Sequence, residues 1–193
     1  DLSPERLLEA YRKGIFPWFS DESPIIWWSP DPRFVIFPDG IKISKSMRQV
    51  LERKTFTVTF DRAFRDVITG CSQPRKNEKE TWITDDMIEA YVKLHEMGYA
   101  HSIEAWSGDE LAGGLYGISL GRAFFGESMF SRKSNASKAA FITIAINLKR
   151  LGFEIIDCQV HTDHLESLGA IEMPRDEFIS IVREALKSET ISG

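Results

Sequence analysis

HSIEAWSGDELAGGLYGISLGRAFFGESMF, residues 101–130, is the stretch on which the fold turns. It divides into three runs of strand character: HSIEAW (101–106), ELAGGLYGIS (110–119) and RAFFGESMF (122–130). The links between them, SGD (107–109) and LG (120–121), are of hairpin length, so the three runs form an antiparallel meander. A helix flanks the meander on each side. TWITDD (81–86) leads into one over about 85–97 that ends at Gly98, and a long one covers about 135–151 and stops at Gly152.

Working outward, FTVTF (56–60) alternates as a strand, Asp61 is placed to cap a helix reaching about Gly70, and a charged loop, SQPRKNEKE (72–80), follows. Downstream lie the strand FEIID (153–157), a short helix near 163–168, a possible strand at 170–173 and a last helix from Pro174 to Leu186. From residue 56 the order is β-α-α-β-β-β-α-β-α with that extra strand. This predicts a mixed α+β domain with a mixed central sheet, and it is the element order of the GNAT acyltransferase fold. That likeness concerns order and leaves function open.

Before the meander, Ser3 is placed to cap a helix with Pro4 in its first turn and Leu7, Leu8, Ala10 and Tyr11 on one face, ended by Gly14. GIFPWFSDESPIIWWSPDPR (14–33) then holds three of the five tryptophans and four of the eight prolines. Proline at that density excludes regular helix and central strand, so its aromatics sit on a stiffened loop. They either glue a small lobe (1–32) to the main domain (33–193) or reach a ligand, Trp18 foremost. RFVIF (33–37) is a short strand, and Ser44 caps a helix through Lys54 with Met47, Val50 and Leu51 inward. The outer face and ends of that helix carry Lys42, Lys45, Arg48, Arg53 and Lys54.

The 193 residues are 42% hydrophobic, enough for one good-sized core, and carry a net charge of -5. Any nucleic-acid contact must therefore come from a local patch such as that helix face. Two cysteines make no disulfide scaffold, no apolar run reaches membrane-span length and no signal-peptide pattern opens the chain, so a cytoplasmic protein is the expectation.

Chemistry concentrates in two places. In DCQVHTDHLESLGA (157–170) an apolar strand runs abruptly into Asp157, Cys158 and Gln159. Two apart on an extended strand, Asp157 and Gln159 put a carboxylate and a carboxamide on one face at a C-terminal strand end, where sites in α/β proteins gather. The same residues also read as a simple strand end feeding a helix. In GESMFSRKSNASKAA (126–140), Glu127 interrupts an apolar strand, either facing solvent or as a polar anchor in an apolar pocket, for an amino group for instance. The junction 132–138 contains no glycine, whereas a backbone gripping a pyrophosphate wants one. That argues against coenzyme A as acyl carrier.

AYRKGIFPWFS (10–20), WWSPDPR (27–33), TWIT (81–84), HSIE (101–104), GGLYG (113–117), GESMFSRKSNASK (126–138) and DCQ…HLESLGA (157–170) run in one order across nearly the whole chain. Through them the sequence closely resembles the leucyl/phenylalanyl-tRNA–protein transferases. The resemblance implies an enzyme that moves Leu or Phe, and less readily Met, from aminoacyl-tRNA onto proteins beginning with Arg or Lys, marking them for degradation in bacteria. It implies two lobes, the larger GNAT-like. It implies a pocket for the aminoacyl-adenosine end built from Trp18, Trp82, Leu115, Phe124, Met129 and Ile156, with Glu127, Asp157 and Gln159 as polar members. The family usually has a further segment before DLSP and a longer, Pro-rich tail after Leu186; their absence here is expected to bear on the tRNA-binding surface.

On this reading Asp157, through Gln159, orients the acceptor amine and takes up its proton, and the Lys42, Lys45, Arg48, Arg53 and Lys54 face meets the tRNA backbone. Leu-tRNA and Phe-tRNA are the expected donors, the chain is expected to be a monomer, and no cofactor is expected. Cys158, His161 and His164 with Asp163 imitate a zinc site, but the spacing does not match finger patterns, so no metal is expected either. A coenzyme A-dependent N-acetyltransferase is the alternative enzyme, and an RNA- or peptide-binding module using the aromatic loop the non-enzymatic one.

Overall fold

The computed structural model describes residues 1–74 and 81–191. Most of the charged loop expected at 72–80 lies outside those residues. Among the described residues a two-stranded ribbon of β1 (Phe16–Pro17) and β2 (Trp27–Trp28) stands beside a seven-stranded sheet, whose strands in spatial order are β4 (Thr57–Phe60), β5 (Ala100–Ser107), β6 (Glu110–Leu120), β7 (Ala123–Ser131), β8 (Ile155–Gln159), β3 (Arg33–Ile36) and β9 (Ile171–Met173). The fold is mixed α+β, as the element order predicted.

The meander is the spine of the sheet: β5 (Ala100–Ser107), β6 (Glu110–Leu120) and β7 (Ala123–Ser131) pair antiparallel, and β4 (Thr57–Phe60) adds to β5. On the other side β8 (Ile155–Gln159) runs parallel to β7, while β3 (Arg33–Ile36) pairs antiparallel with both β8 and β9 (Ile171–Met173). β7–β8 is the one parallel pair among the described strands, and its crossover is α5 (Ala136–Arg150), as a parallel connection requires.

Strand alternation divides the core. Val35, Tyr116, Ile118, Phe125 and Ile155 pack under α1 (Pro4–Arg12), α3 (Phe64–Ser72), α4 (Asp85–Glu96) and α7 (Arg175–Ala185). Their neighbours Phe34, Ile36, Leu115, Phe124 and Ile156 pack under α5 and Met47 of α2 (Lys45–Glu52). Both Phe124 and Phe125 are buried, each worth about 1.5–3 kcal/mol relative to an exposed ring. The glycines of GGLYG permit this closeness. A Cβ on Gly113 would stand 2.7 Å from the Phe130 carbonyl and 2.8 Å from Ala136 Cβ at the start of α5; one on Gly117 would stand 2.5 Å from both the Phe124 ring and the Phe125 carbonyl.

Several local expectations change. Ser44 does cap α2, accepting from the Met47 N–H at 3.2 Å. Ser3 precedes α1, but its hydroxyl bonds Asp1 and makes no cap bond. Asp61 caps nothing. It sits at φ 55°, bonds His101 Nδ1 at 2.7 Å and accepts the Ser102 N–H at 3.0 Å, and α3 starts three residues later. The partner across the sheet outcompetes the local cap. Proline does not keep 14–33 wholly irregular, since Phe16–Pro17 pairs with Trp27–Trp28 in a ribbon too short to need the missing N–H. The buried face of α1 joins the core under α4.

Candidate active site

The parallel pair opens partway along. β7 and β8 are in register only at Ala123–Ile155, Phe124–Ile156 and Phe125–Asp157. Beyond that β7 follows β6 to Ser131, with an irregularity next to Tyr116/Gly117, and β8 follows β3 to Gln159. The gap they leave is a cavity of about 860 Å³. Phe16, Pro17 and Trp18 of the N-terminal segment, Trp82, Leu115, Met129 and Phe130 give it aromatic and apolar walls; Glu127, Asp157 and Gln159 enter from the two strands. The first residues of α5, Ser137 and Lys138, and the preceding Arg132, Ser134 and Asn135 close one side.

A chain of polar contacts crosses the gap. Gln159 Nε2 donates to Glu127 Oε1 at 3.1 Å. The Tyr11 hydroxyl donates to the same oxygen at 2.5 Å and is itself bonded to the Tyr91 hydroxyl. Glu127 Oε2 is buried with no hydrogen-bond partner among the described residues. Burial is the main reason the Glu127 carboxyl is pushed up to about 8; the Tyr11 and Gln159 bonds and the Arg33 charge pull it back, while Asp157 adds to the rise. The surface-facing reading of Glu127 is thereby excluded, because it is 8% exposed.

Asp157 stands behind this chain and is 1% exposed. Arg33 holds it bidentately, Nε to Oδ1 at 2.8 Å and the NH2 nitrogen to Oδ2 at 2.5 Å. The remaining Arg33 nitrogen donates to the Gly14 carbonyl at 2.8 Å, and the guanidinium lies against Phe16 and Phe178. Asp157 Oδ1 also accepts the Gln159 N–H at 2.9 Å. That bond pins Gln159 at φ 66°, in the left-handed region, a conformation costing a non-glycine residue about 1–2 kcal/mol. The strict alternation assumed for 157 and 159 therefore ends at Gln159, yet both residues line the cavity.

Trp18, Trp82, Leu115, Glu127, Met129, Asp157 and Gln159 all line the one cavity. Phe124 and Ile156 do not; they lie in the core layer under α5. Trp18 is 43% exposed at the rim, tilted against Trp28, whose indole N–H donates to the Trp18 carbonyl at 2.8 Å. Lys42, Lys45, Arg48, Arg53 and Lys54 are exposed on and around α2, away from the cavity lining. The Lys42 N–H bonds Leu168 O just past α6 (Asp163–Ser167), and His164 and Leu165 of that helix do line the cavity.

Burial pushes the Cys158 thiol well up, against a thiolate role. The C-x₂-H-x₂-H set does not converge; among the described residues the donor atoms that do approach one another belong to His161, Asp163 and Glu166, all exposed. Sequence reasoning missed Arg33, Tyr11, Tyr91, Tyr116, Arg132 and Lys138. An arginine opening an otherwise apolar strand was the available signal for Arg33; the tyrosines look like ordinary core residues.

A cavity in the split of a mixed sheet, apolar-walled with a few convergent polar groups, has the shape and lining of a small-ligand enzyme site. Two family models then match the chain: leucyl/phenylalanyl-tRNA protein transferase over residues 35–183, and its N-terminal domain over residues 1–31. Among curated relatives, the leucyl/phenylalanyl-tRNA–protein transferase of Syntrophus aciditrophicus is 58% identical, covering all of this chain and 81% of the relative. That of Myxococcus xanthus is 55% identical over all of this chain and 83% of the relative, and that of Saccharophagus degradans 54% identical over 98% and 78%. The chain belongs to the leucyl/phenylalanyl-tRNA–protein transferase family, and is an aminoacyltransferase passing an amino acid from tRNA to protein. No helix among the described residues is long and apolar enough to cross a membrane.

Proposed function

We propose that the chain transfers leucine or phenylalanine, and less readily methionine, from the 3′ end of aminoacyl-tRNA to the N-terminal α-amine of proteins beginning with Arg or Lys, marking them for degradation in the cytoplasm. The observation that carries the reading is Glu127: a buried carboxyl whose Oε2 has no partner among the described residues, in an apolar, indole-walled cavity, suits a small cationic group attached to something greasy. The α-ammonium of an esterified Leu or Phe is such a group.

In this reading the donor side chain lies against Leu115 and Met129, with Phe124 and Ile156 shaping that wall from behind. An apolar slot separates side chains differing by one methylene by only about 1–3 kcal/mol, so Leu, Phe and Met overlap. Trp18 and Trp82 take the terminal adenine by stacking, worth about 1–3 kcal/mol per base. The Lys42–Lys54 face, with Arg132 and Lys138 at the cavity, follows the RNA backbone. The N-terminal lobe, residues 1–32, supplies one wall.

Transfer joins the acceptor nitrogen to the ester carbon and breaks the bond to the ribose 3′-oxygen, which leaves with the proton the amine gives up. An α-amine of ordinary pKa about 7.7–8.0 is partly neutral at pH 7, so placement is the larger need. Gln159 has its amide N–H committed to Glu127, leaving its carbonyl to accept from the incoming amine. Asp157 acts through Gln159, holding its backbone; with both carboxylate oxygens engaged by Arg33, we assign it to orientation in preference to proton uptake. The test is transfer of labelled leucine from Leu-tRNA to peptides beginning with Arg, Lys or Ala: label on the first two and not the third is expected, and equal labelling of all three would remove the acceptor rule.

A further inference from the structure

The tyrosines behind Glu127 have no role in the account above. Tyr11 comes from α1 and Tyr91 from α4, both are essentially inaccessible, and neither lines the cavity. Their hydroxyls nevertheless meet each other and Glu127 inside the core. A phenol has one hydrogen. Since Tyr11 spends its own on Glu127 Oε1, Tyr91 must be the donor to Tyr11, so the chain is directional: Tyr91 to Tyr11 to Glu127. Such chains strengthen link by link in a low-dielectric interior.

We propose that Tyr11 and Tyr91 are positioning residues for donor binding: they fasten Glu127 Oε1 from behind, so that Oε2 alone faces the donor's α-ammonium, and they set the pH above which that oxygen can receive it. The inference rests on the donor reading given above. Oε1 already accepts two hydrogens, from Tyr11 and Gln159, so a proton on the carboxyl sits on Oε2. A protonated Oε2 offers a hydrogen where an ammonium needs an acceptor. Donor binding then requires that proton to leave, and each donor on Oε1 makes its departure easier.

Around Glu127 the groups that matter are Tyr11 of α1, Tyr91 of α4, Tyr116 of β6, Asp157 and Gln159 of β8, and Arg33 of β3. Burial and the Glu127 charge hold all three phenols well above their ordinary range, so they stay neutral donors at working pH. Arg33 and Asp157 are paired to each other. Glu127 is thus the member of the cluster whose charge changes near neutrality.

The experiment is isothermal titration of the full chain with 3′-(leucylamino)-adenosine, a non-hydrolysable mimic of the RNA end, from pH 6 to 9.5 in buffers of differing ionisation enthalpy. The proteins are wild type, Tyr11→Phe, Tyr91→Phe, Glu127→Gln and the Tyr11→Phe/Glu127→Gln double variant, with melting temperatures measured alongside. Wild type should release a proton on binding at pH 7, with affinity rising along an acid limb. Tyr11→Phe should move that limb up by about one pH unit, an affinity loss of about tenfold at pH 7 that shrinks towards pH 9. Tyr91→Phe should move it the same way by less, and Tyr11→Phe should add nothing in the Glu127→Gln background. If the tyrosine variants lower only the melting temperature and keep the wild-type limb, while Glu127→Gln abolishes it, this inference falls and the donor reading stands. If Glu127→Gln binds with the wild-type profile, the donor reading falls too.

Discussion

Gln159 and Glu127 face each other across the gap between β7 and β8, with Gln159 Nε2 3.1 Å from Glu127 Oε1. Two strands that have stopped pairing through their backbones are tied instead through side chains. That tie places the candidate acceptor-side and donor-side groups within one hydrogen bond of each other.

Replacing Gln159 by glycine separates the tie from the backbone it sits on. Glycine removes the carboxamide and accepts φ 66° without the steric penalty, while adding unfolded-state entropy of similar size. Transfer activity should fall at least tenfold with stability unchanged to within about 1 kcal/mol. Parallel activity assays and urea melts check it; wild-type transfer would show that the carboxamide does nothing.

Arg33 and Asp157 are both 1% exposed, so breaking the pair leaves a bare buried charge. Arg33→Met should destabilise by about 3–5 kcal/mol in urea unfolding. The double variant Arg33→Met/Asp157→Leu should recover much of that loss while leaving transfer impaired, because Gln159 loses the carboxylate that holds its N–H. A single variant as stable as the parent would mean that water reaches Asp157.

Stability without substrate should carry the signature of Glu127. Its carboxyl is raised to about 8 in the fold, from about 4.5, so between these values the folded chain binds more protons than the unfolded one. Its contribution is complete below about pH 4.5 and is lost as pH rises through about 8. Glu127→Gln keeps the shape without the charge. It should flatten this part of the curve and be more stable than the parent at pH 8.5, by a margin that closes towards pH 5. Thermal melts across that range decide it, and parallel curves would show Glu127 to be ordinary.

Lys45→Glu combined with Arg48→Glu should raise the KM for aminoacyl-tRNA and leave kcat near the parent value. Each lost phosphate contact should lower the slope of log affinity against log salt by about 0.7–0.9. Arg132→Gln and Lys138→Gln, at the cavity itself, should likewise raise the KM for aminoacyl-tRNA while leaving binding of the phosphate-free adenosine mimic near the parent value. An unchanged KM would remove α2 from the RNA path.

The meander, its flanking helices and the Asp157–Gln159 segment were legible in the sequence because each rests on local signals: hairpin-length links, helix-ending glycines, an acid and an amide at a strand end. What stayed hidden is joined across long spans of chain. Arg33 and Asp157 are 124 residues apart and Tyr11 and Glu127 are 116 apart, and nothing in RFVIF or AYRKG points to either partner. Asp61 failed as a cap for the same reason, since its partners lie 40 residues on, in β5. Phe124 and Ile156 are a subtler case. Their apolar character was legible, but which of two buried faces a strand residue meets depends on register.

Arg33 also binds the Gly14 carbonyl and rests between Phe16 and Phe178, so one guanidinium is a keystone shared by the first helix-and-ribbon unit, the sheet and α7. Shaving off the opening residues would therefore do more than trim an outlying flap. It would loosen the stone that keeps Asp157 quiet, and damage begun at one end of the chain would surface where β7 and β8 divide.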